Sequence, residues 1–183
     1  MQLQTSVQPA PRKPLESIEV RRPRKADGSK VWELIQSIEK LDDNSMYCNL
    51  LQCSHFASTC ALAEMNGEAV GWISGYVLPE SPDTLFVWQV AVHPDARGRG
   101  VAKRLILNLL KRKACRQVRH IHSTITPDNK ASWALFRAIA DELDAPLVDD
   151  AHFERDAHFG GAHDTEHLVE IGPFDRLALL RAA

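Results

Sequence analysis

Between Val31 and Ile38 the apolar residues Val31, Leu34, Ile35 and Ile38 fall three and four apart, the stripe of one amphipathic helix. That helix is predicted over Asp27 to Lys40, with Asp27 placed to cap its start. A short β-type run, Ser17 to Arg22, precedes it. A second, short helix is predicted from Ser45 to Gln52, capped by Asp43 or Asn44. The period then changes to two. Thr59 to Met65 and Glu68 to Leu78 flank Asn66-Gly67, the dipeptide of a type I′ hairpin. After a loop containing Pro79, Ser81, Pro82 and Asp83, the apolar run Leu85 to Val92 reads as a third strand, antiparallel to the hairpin. From Val101 the helical period returns, with Val101, Leu105 and Leu109 beside Ile106 and Leu110 and with charges between them. Val118 to Thr126 is a further strand. Pro127 and Asp128 open a helix carrying Asn129, Ser132, Trp133, Leu135 and Phe136. An alternating stretch ending at Ile171 closes the pattern.

The order strand, helices, three strands, helix, strand, helix, strand describes an α/β chain. Its 183 residues suit one domain. The domain is expected over residues 17–174, between a disordered tail at 1–16 and a C-terminal tail at 175–183. A formal net charge of −2 argues against a general nucleic-acid binder. Arg12, Lys13, Arg21, Arg22, Arg24 and Lys25 make the N-terminal end basic, either as a solvated edge or as an anionic contact. Cys48, Cys53, Cys60 and Cys115 lack paired metal spacing and read as free thiols. No apolar run is long enough to span a membrane and no signal-peptide core is visible, so the expected location is the cytoplasm.

Chemistry concentrates where the Leu85–Val92 run passes through His93-Pro94-Asp95-Ala96 and Arg97-Gly98-Arg99-Gly100 into a helix start. Unpaired N–H groups and the helix dipole gather there, and two glycines let backbone close on a bulky anion. A phosphate or pyrophosphate is the ligand such a junction suits. No Gly-Lys-Ser/Thr follows, so it is not a P-loop, and the third glycine of the dinucleotide fingerprint is missing. Asp42 and Asp43 stand at a helix end, unfavourably for its dipole. Asp42 is therefore either a binder of cationic substrate or a capping and turn residue. His163 and His167 are four apart, but strand spacing would separate them by about 13 Å, too far to share one ion. No metal is expected. Glu166 could instead hold an ammonium and His163 relay a proton, or both could be solvated loop charges.

Arg97-x-x-Gly100-x-Ala102 after an apolar strand, together with Asn129-x-x-Ser132-x-x-Leu135-Phe136, resembles the GNAT superfamily of N-acetyltransferases over residues 17 to 171. The resemblance implies a mixed, mostly antiparallel twisted sheet flanked by helices. It also implies acetyl-coenzyme A as cosubstrate, held by Val90, Val92, Arg97, Gly98, Arg99, Gly100, Val101, Ala102, Asn129 and Ser132, with Lys103 at the pyrophosphate. A bulge near Trp88–Val90 would splay the sheet and offer an N–H to the oxyanion. Tyrosine, the acid for the leaving thiolate, is common in the superfamily where this chain has Phe136, and phenylalanine has no proton to give.

Asp42-Asp43-Asn44-Ser45-x-Tyr47, Phe86-Val87-Trp88-Gln89-Val90-Ala91-Val92, Thr126-Pro127-Asp128-Asn129 and His163-Asp164-Thr165-Glu166-His167 look more narrowly like the L-2,4-diaminobutyrate acetyltransferases of ectoine synthesis. That resemblance implies acetyl transfer to the 4-amino group by direct attack in a ternary complex, giving N4-acetyl-L-2,4-diaminobutyrate, in a homodimer. The chemistry needs a base for the 4-ammonium proton, for which Glu166 and His163 are the candidates, with Asp42 orienting the amine and Tyr47 donating to the departing thiolate. Glu166 and Asp42 are available to hold the diamine's positive charge, and Trp88 either walls the substrate pocket or packs in the core. The alternatives are a GNAT enzyme for another amine, such as a polyamine, an aminoglycoside or a protein N-terminus, and a non-catalytic coenzyme sensor.

Overall fold

The hairpin and the apolar run after it form the centre of a seven-stranded sheet. A computed structural model describes residues 17–39, 41 and 44–181 of the chain. The sheet order is β1 (Glu19–Arg21), β2 (Ala61–Met65), β3 (Glu68–Leu78), β4 (Ser81–Val92), β5 (His120–Ile125), β7 (Glu166–Ile171), β6 (Leu147–Phe153). Every pairing is antiparallel except β4 with β5. A parallel pair needs a long crossover, and α3 (Val101–Leu110) supplies it. Asn66 and Gly67 turn the hairpin with φ of 55° and 83°, the signs a type I′ turn requires.

Helices cover both faces. On one, α3 and α4 (Lys130–Glu142) bring Leu105, Ile106, Phe136 and Ile139 onto Ile73, Leu85, Val87 and Ile121. Gly71 allows the close approach of α3, since a Cβ there would lie 2.6 Å from Val101 Cγ1. On the other face α1 (Gly28–Gln36) and α2 (Met46–Ser54) pack Val31, Leu34, Ile35 and Cys53 on Leu62, Trp72 and Ala91.

Several expected boundaries move. The first helix runs only from Gly28 to Gln36, and the Asp27 side chain does not cap it. Instead the carboxylate accepts both terminal nitrogens of Arg21 at 2.8 Å and the Arg24 N–H at 2.6 Å, because a guanidinium is a stronger partner than a helix N–H. Ser45, rather than Asp43 or Asn44, caps α2 by accepting from Cys48 N. The hairpin's first strand starts at Ala61 because Thr59 is held in a turn, its N–H on Phe56 O and its hydroxyl on Gly75 O. Val118 likewise closes a turn on Cys115, and β5 begins at His120.

The acidic segment after Asp141 contains an unexpected strand, β6. It is an edge strand exposed along most of its length, so it lacks an alternating apolar signature. Beyond residue 175 the chain forms α5 (Arg176–Arg181) rather than a tail. Arg176 donates to the carbonyls of Leu110, Cys115 and Val118 and so satisfies a helix end, while Leu179 is buried. The expected tail at 1–16, with Arg12 and Lys13, lies outside the described residues, as do Lys40, Asp42 and Asp43.

Candidate active site

β4 holds one residue more than its partner. Ser74 pairs with Gln89 and Gly75 with Val87, leaving Trp88 as a β-bulge. On the other side, the β4–β5 ladder ends at Phe86 and His122. The next carbonyl, Val87 O, accepts the Ser123 hydroxyl at 3.0 Å. β5 continues on β7 through Ser123–Val169, Thr124–Leu168 and Ile125–His167. The sheet therefore forks between β4 and β5, and half-exposed Trp88 stands at the fork. Beyond the bulge, Val90 and Val92 pack against the α3–α4 layer, whereas buried Gln89 accepts from Asn44 Nδ2 at 3.2 Å. That bond ties the start of α2 to the fork. Tyr47, one residue into α2, is 69% exposed.

β4 leads through Pro94–Ala96 into the glycine loop. Gly98 and Gly100 have φ of 71° and 70°, with open space where a Cβ would stand. The left-handed conformation therefore requires glycine there. Gly100 is the N-cap of α3, and Arg104 N donates back to Gly100 O. The N–H groups of Val101, Ala102 and Lys103 precede any intrahelical acceptor, so this turn can bind an oxyanion. Arg97 Nε donates to Val92 O at 3.3 Å, folding the loop back on β4. Lys103 is paired with Glu142 of α4 at 2.6 Å. Across the fork, Asn129 caps α4 by accepting Ser132 N at 3.1 Å. Its amide NH₂ then has donors to offer to an acceptor such as a pantetheine carbonyl. Phe136, 2% exposed, belongs to the core.

The β6–β7 loop completes the surroundings. Phe153, Phe159, His158 and His163 form an aromatic cluster, with His163 4.7 Å from Phe159 between ring centroids. His163 Nδ1 lies 2.8 Å from Asp164 O, which leaves Nε2 as the acceptor nitrogen. His163 lines a cavity of ≈ 360 Å³ with Thr126, Asp128, Arg155 and Asp164, beside the start of α4. Glu166 opens β7, half-buried. His167 lies 2.9 Å from Asp149 and edge-on to Trp133, away from His163. No group of three His, Cys, Asp or Glu side chains among the described residues could hold a metal ion. Burial pushes the thiols of Cys53 and Cys60 up to about 12 and that of Cys115 up to about 11, which makes them poor nucleophiles.

Trp88, Val90 and Val92 thus lie on the strand that forks and leads into the Arg97–Ala102 loop, and Asn129 and Ser132 lie at the start of α4, which follows β5. Tyr47 stands on α2, whose start is tied to the fork by Asn44, His163 in the β6–β7 loop and Glu166 at the start of β7. Asp42 lies outside the described residues. One pair was not singled out by pattern: His122 and Glu170, opposed in the β5–β7 register with Nε2 3.0 Å from Oε2. The signal for it was the alternation of polar residues along both strands, His120-x-His122-x-Thr124 and Glu166-x-x-x-Glu170.

Residues 26–140 match the model of the Acetyltransferase (GNAT) family. The chain is 48% identical to the L-2,4-diaminobutyric acid acetyltransferase of Methylotuvimicrobium alcaliphilum, over 86% of this chain and 91% of that protein. It is also 48% identical to the enzyme of that name from Halomonas elongata, over 85% and 81%. Among solved structures it superposes on diaminobutyrate acetyltransferase EctA from Paenibacillus lautus, in complex with its substrate L-2,4-diaminobutyric acid and coenzyme A. The TM-score is 0.83 at 41% identity, covering 88% of this chain and 98% of that one. A forked, mostly antiparallel sheet with a glycine loop at the start of α3, matched over most of the chain by these relatives, shows that the chain belongs to the GNAT acetyltransferases and, within them, to the L-2,4-diaminobutyrate acetyltransferase family.

Proposed function

We propose that this protein transfers the acetyl group of acetyl-coenzyme A to the 4-amino group of L-2,4-diaminobutyrate, giving N4-acetyl-L-2,4-diaminobutyrate for ectoine synthesis. The observation that carries this is the fork at Trp88, on the strand that leads into the glycine loop at the start of α3. The related EctA complex, with diaminobutyric acid and coenzyme A together, supports it. The Gly98–Lys103 backbone, with Arg97 and Arg99, is suited to the pyrophosphate. Val90 and Val92 line the pantetheine arm, and Asn129 and Ser132 hold it from α4. Lys103 exchanges Glu142 for phosphate. Trp88 walls the diamine, Glu166 and Asp42 counter its positive charge, and His163 Nε2 passes protons to solvent. The amine attacks the thioester carbonyl, a backbone N–H at the bulge stabilises the oxyanion, and Tyr47 protonates the departing thiolate in place of the position taken by Phe136. The buried thiols are consistent with direct transfer.

We assign the active state as a cytoplasmic homodimer of a catalytic unit spanning residues 17–174, onto which α5 docks through Arg176 and Leu179. Exposed Val148 and Phe153 on edge strand β6 offer apolar surface for pairing. No helix among the described residues is long and apolar enough to cross a membrane.

Mass spectrometry of the product, with thiol release as the rate, tests the assignment. The expected result is one acetyl group on N4 and one thiol per turnover. Faster turnover of a polyamine or aminoglycoside, or thioester binding without thiol release, defeats it.

A further inference from the structure

The β5–β7 pair places a titratable dyad at the closed end of the fork. His122 is the last residue of β5 paired with β4, opposite Phe86. Cross-strand partners share a face, so His122 and Glu170 lie on the sheet side carrying Phe86 and Tyr76, whose rings are 5.4 Å apart. This is the side away from the α3–α4 core, to which Leu85, Val87 and Ile121 point. Glu166, four residues before Glu170 on β7, shares that side by strand alternation. The row His122, Glu170, Glu166 thus runs from the fork towards the β6–β7 loop.

We propose that His122, oriented by Glu170, is the base that takes the proton the 4-ammonium group must lose before it attacks; this rests on the acetyltransferase reading above. A carboxylate only accepts hydrogen bonds, so His122 Nε2 carries the hydrogen directed at Glu170. Nδ1 then presents a lone pair, and it has no partner among the described residues. In the step, the N4–H bond breaks and its proton goes to Nδ1, while the electron pair stays on nitrogen. The resulting imidazolium is stabilised by Glu170. The amine forms its bond to the thioester carbon and the C–S bond breaks. The second N4 proton ends on the thiol through Tyr47, and the imidazolium returns the first to solvent.

The groups around His122 set its charge. Burial lowers its pKa from the ordinary imidazole value, His120 on β5 and His152 on β6 act the same way, and Glu170 on β7 and Asp83 on β4 oppose them. The imidazole is therefore neutral, and able to accept, at pH 7. Glu166 keeps the role of counter-charge.

The test is the pH profile of kcat for thiol release with saturating acetyl-coenzyme A. Wild type is expected to show an acidic limb below neutrality. His122→Gln is expected to lower kcat at pH 7 by about a hundredfold or more. It removes that limb, so that the rate follows the amine's own ionisation upwards with pH. Glu170→Gln is expected to move the limb to lower pH, because an imidazolium without its carboxylate is a stronger acid. Binding of acetyl-coenzyme A, read by calorimetry, stays unchanged in both, which a structural collapse of the fork would not allow. The proposal is overturned if His122→Gln retains the wild-type limb, or if Glu170→Gln leaves the limb in place. It is also overturned if the limb disappears in Glu166→Gln instead. If wild type releases no thiol with diaminobutyrate, the underlying reading fails rather than the assignment of the base.

Discussion

Tyr47 carries the largest burden among single residues, because Phe136 is sealed in the core and has no proton to give. Its phenol is exposed, and the Asn44–Gln89 bond three residues earlier ties the start of its helix to the fork. Tyr47→Phe is expected to lower kcat by about a hundredfold with little change in KM for acetyl-coenzyme A. Steady-state kinetics on the variant check it; full turnover would show that the acid is elsewhere. At this scale the coenzyme residues were readable because backbone demands mark them. Glycines at positive φ and an asparagine at a helix start are local requirements that a sequence displays. His122 and Glu170 were not readable as a pair. They are 48 positions apart and meet only through the strand register, which no local pattern encodes.

At the scale of elements, Arg21 clamps three pieces of chain. From β1 its guanidinium holds Asp27, at the start of α1, and Glu64 on β2, with four contacts of 2.6–2.8 Å. The guanidinium holds both carboxyls below their ordinary pKa. Depressed carboxylates add stability above their unfolded values, near 3.9 and 4.3, and that stability is lost as pH falls through the lower folded values. Arg21→Ala is therefore expected to cost roughly 2 kcal/mol at pH 7, as removal of one partner from a partly buried network does. The deficit relative to wild type should shrink below about pH 4. Denaturant unfolding at pH 7 and pH 3 measures both. This clamp explains why the expected helix cap at Asp27 did not form: a charged partner from another strand took the carboxylate. The helices α1 and α3 were legible because one face of each is buried, and β3–β4 because both faces are covered, which leaves near-continuous apolar runs. The edge strand β6 was not, because it buries almost nothing.

For the molecule as a whole, the sheet's two-layer cover accounts for the legibility of the fold. Alternation along β2–β4 reports burial under α1–α2 on one side and α3–α4 on the other. The bulge at Trp88 has a consequence for this architecture that concerns evolution as much as catalysis. Leu85 and Val87 before it, and Val90 and Val92 after it, serve the same layer. Removing Trp88 would simply bring the pairs Gly75–Val87 and Ser74–Gln89 into sequence, with every other side chain keeping its layer. Trp88 is thus a spare stitch: the fabric closes without it. A variant lacking Trp88 is expected to keep wild-type circular dichroism and cooperative melting. Its acetyl transfer should fall by about a hundredfold or more, the scale of losing one oxyanion donor. An inactive relative could therefore arise from this chain by a single codon deletion, with nothing in its stability to betray the loss.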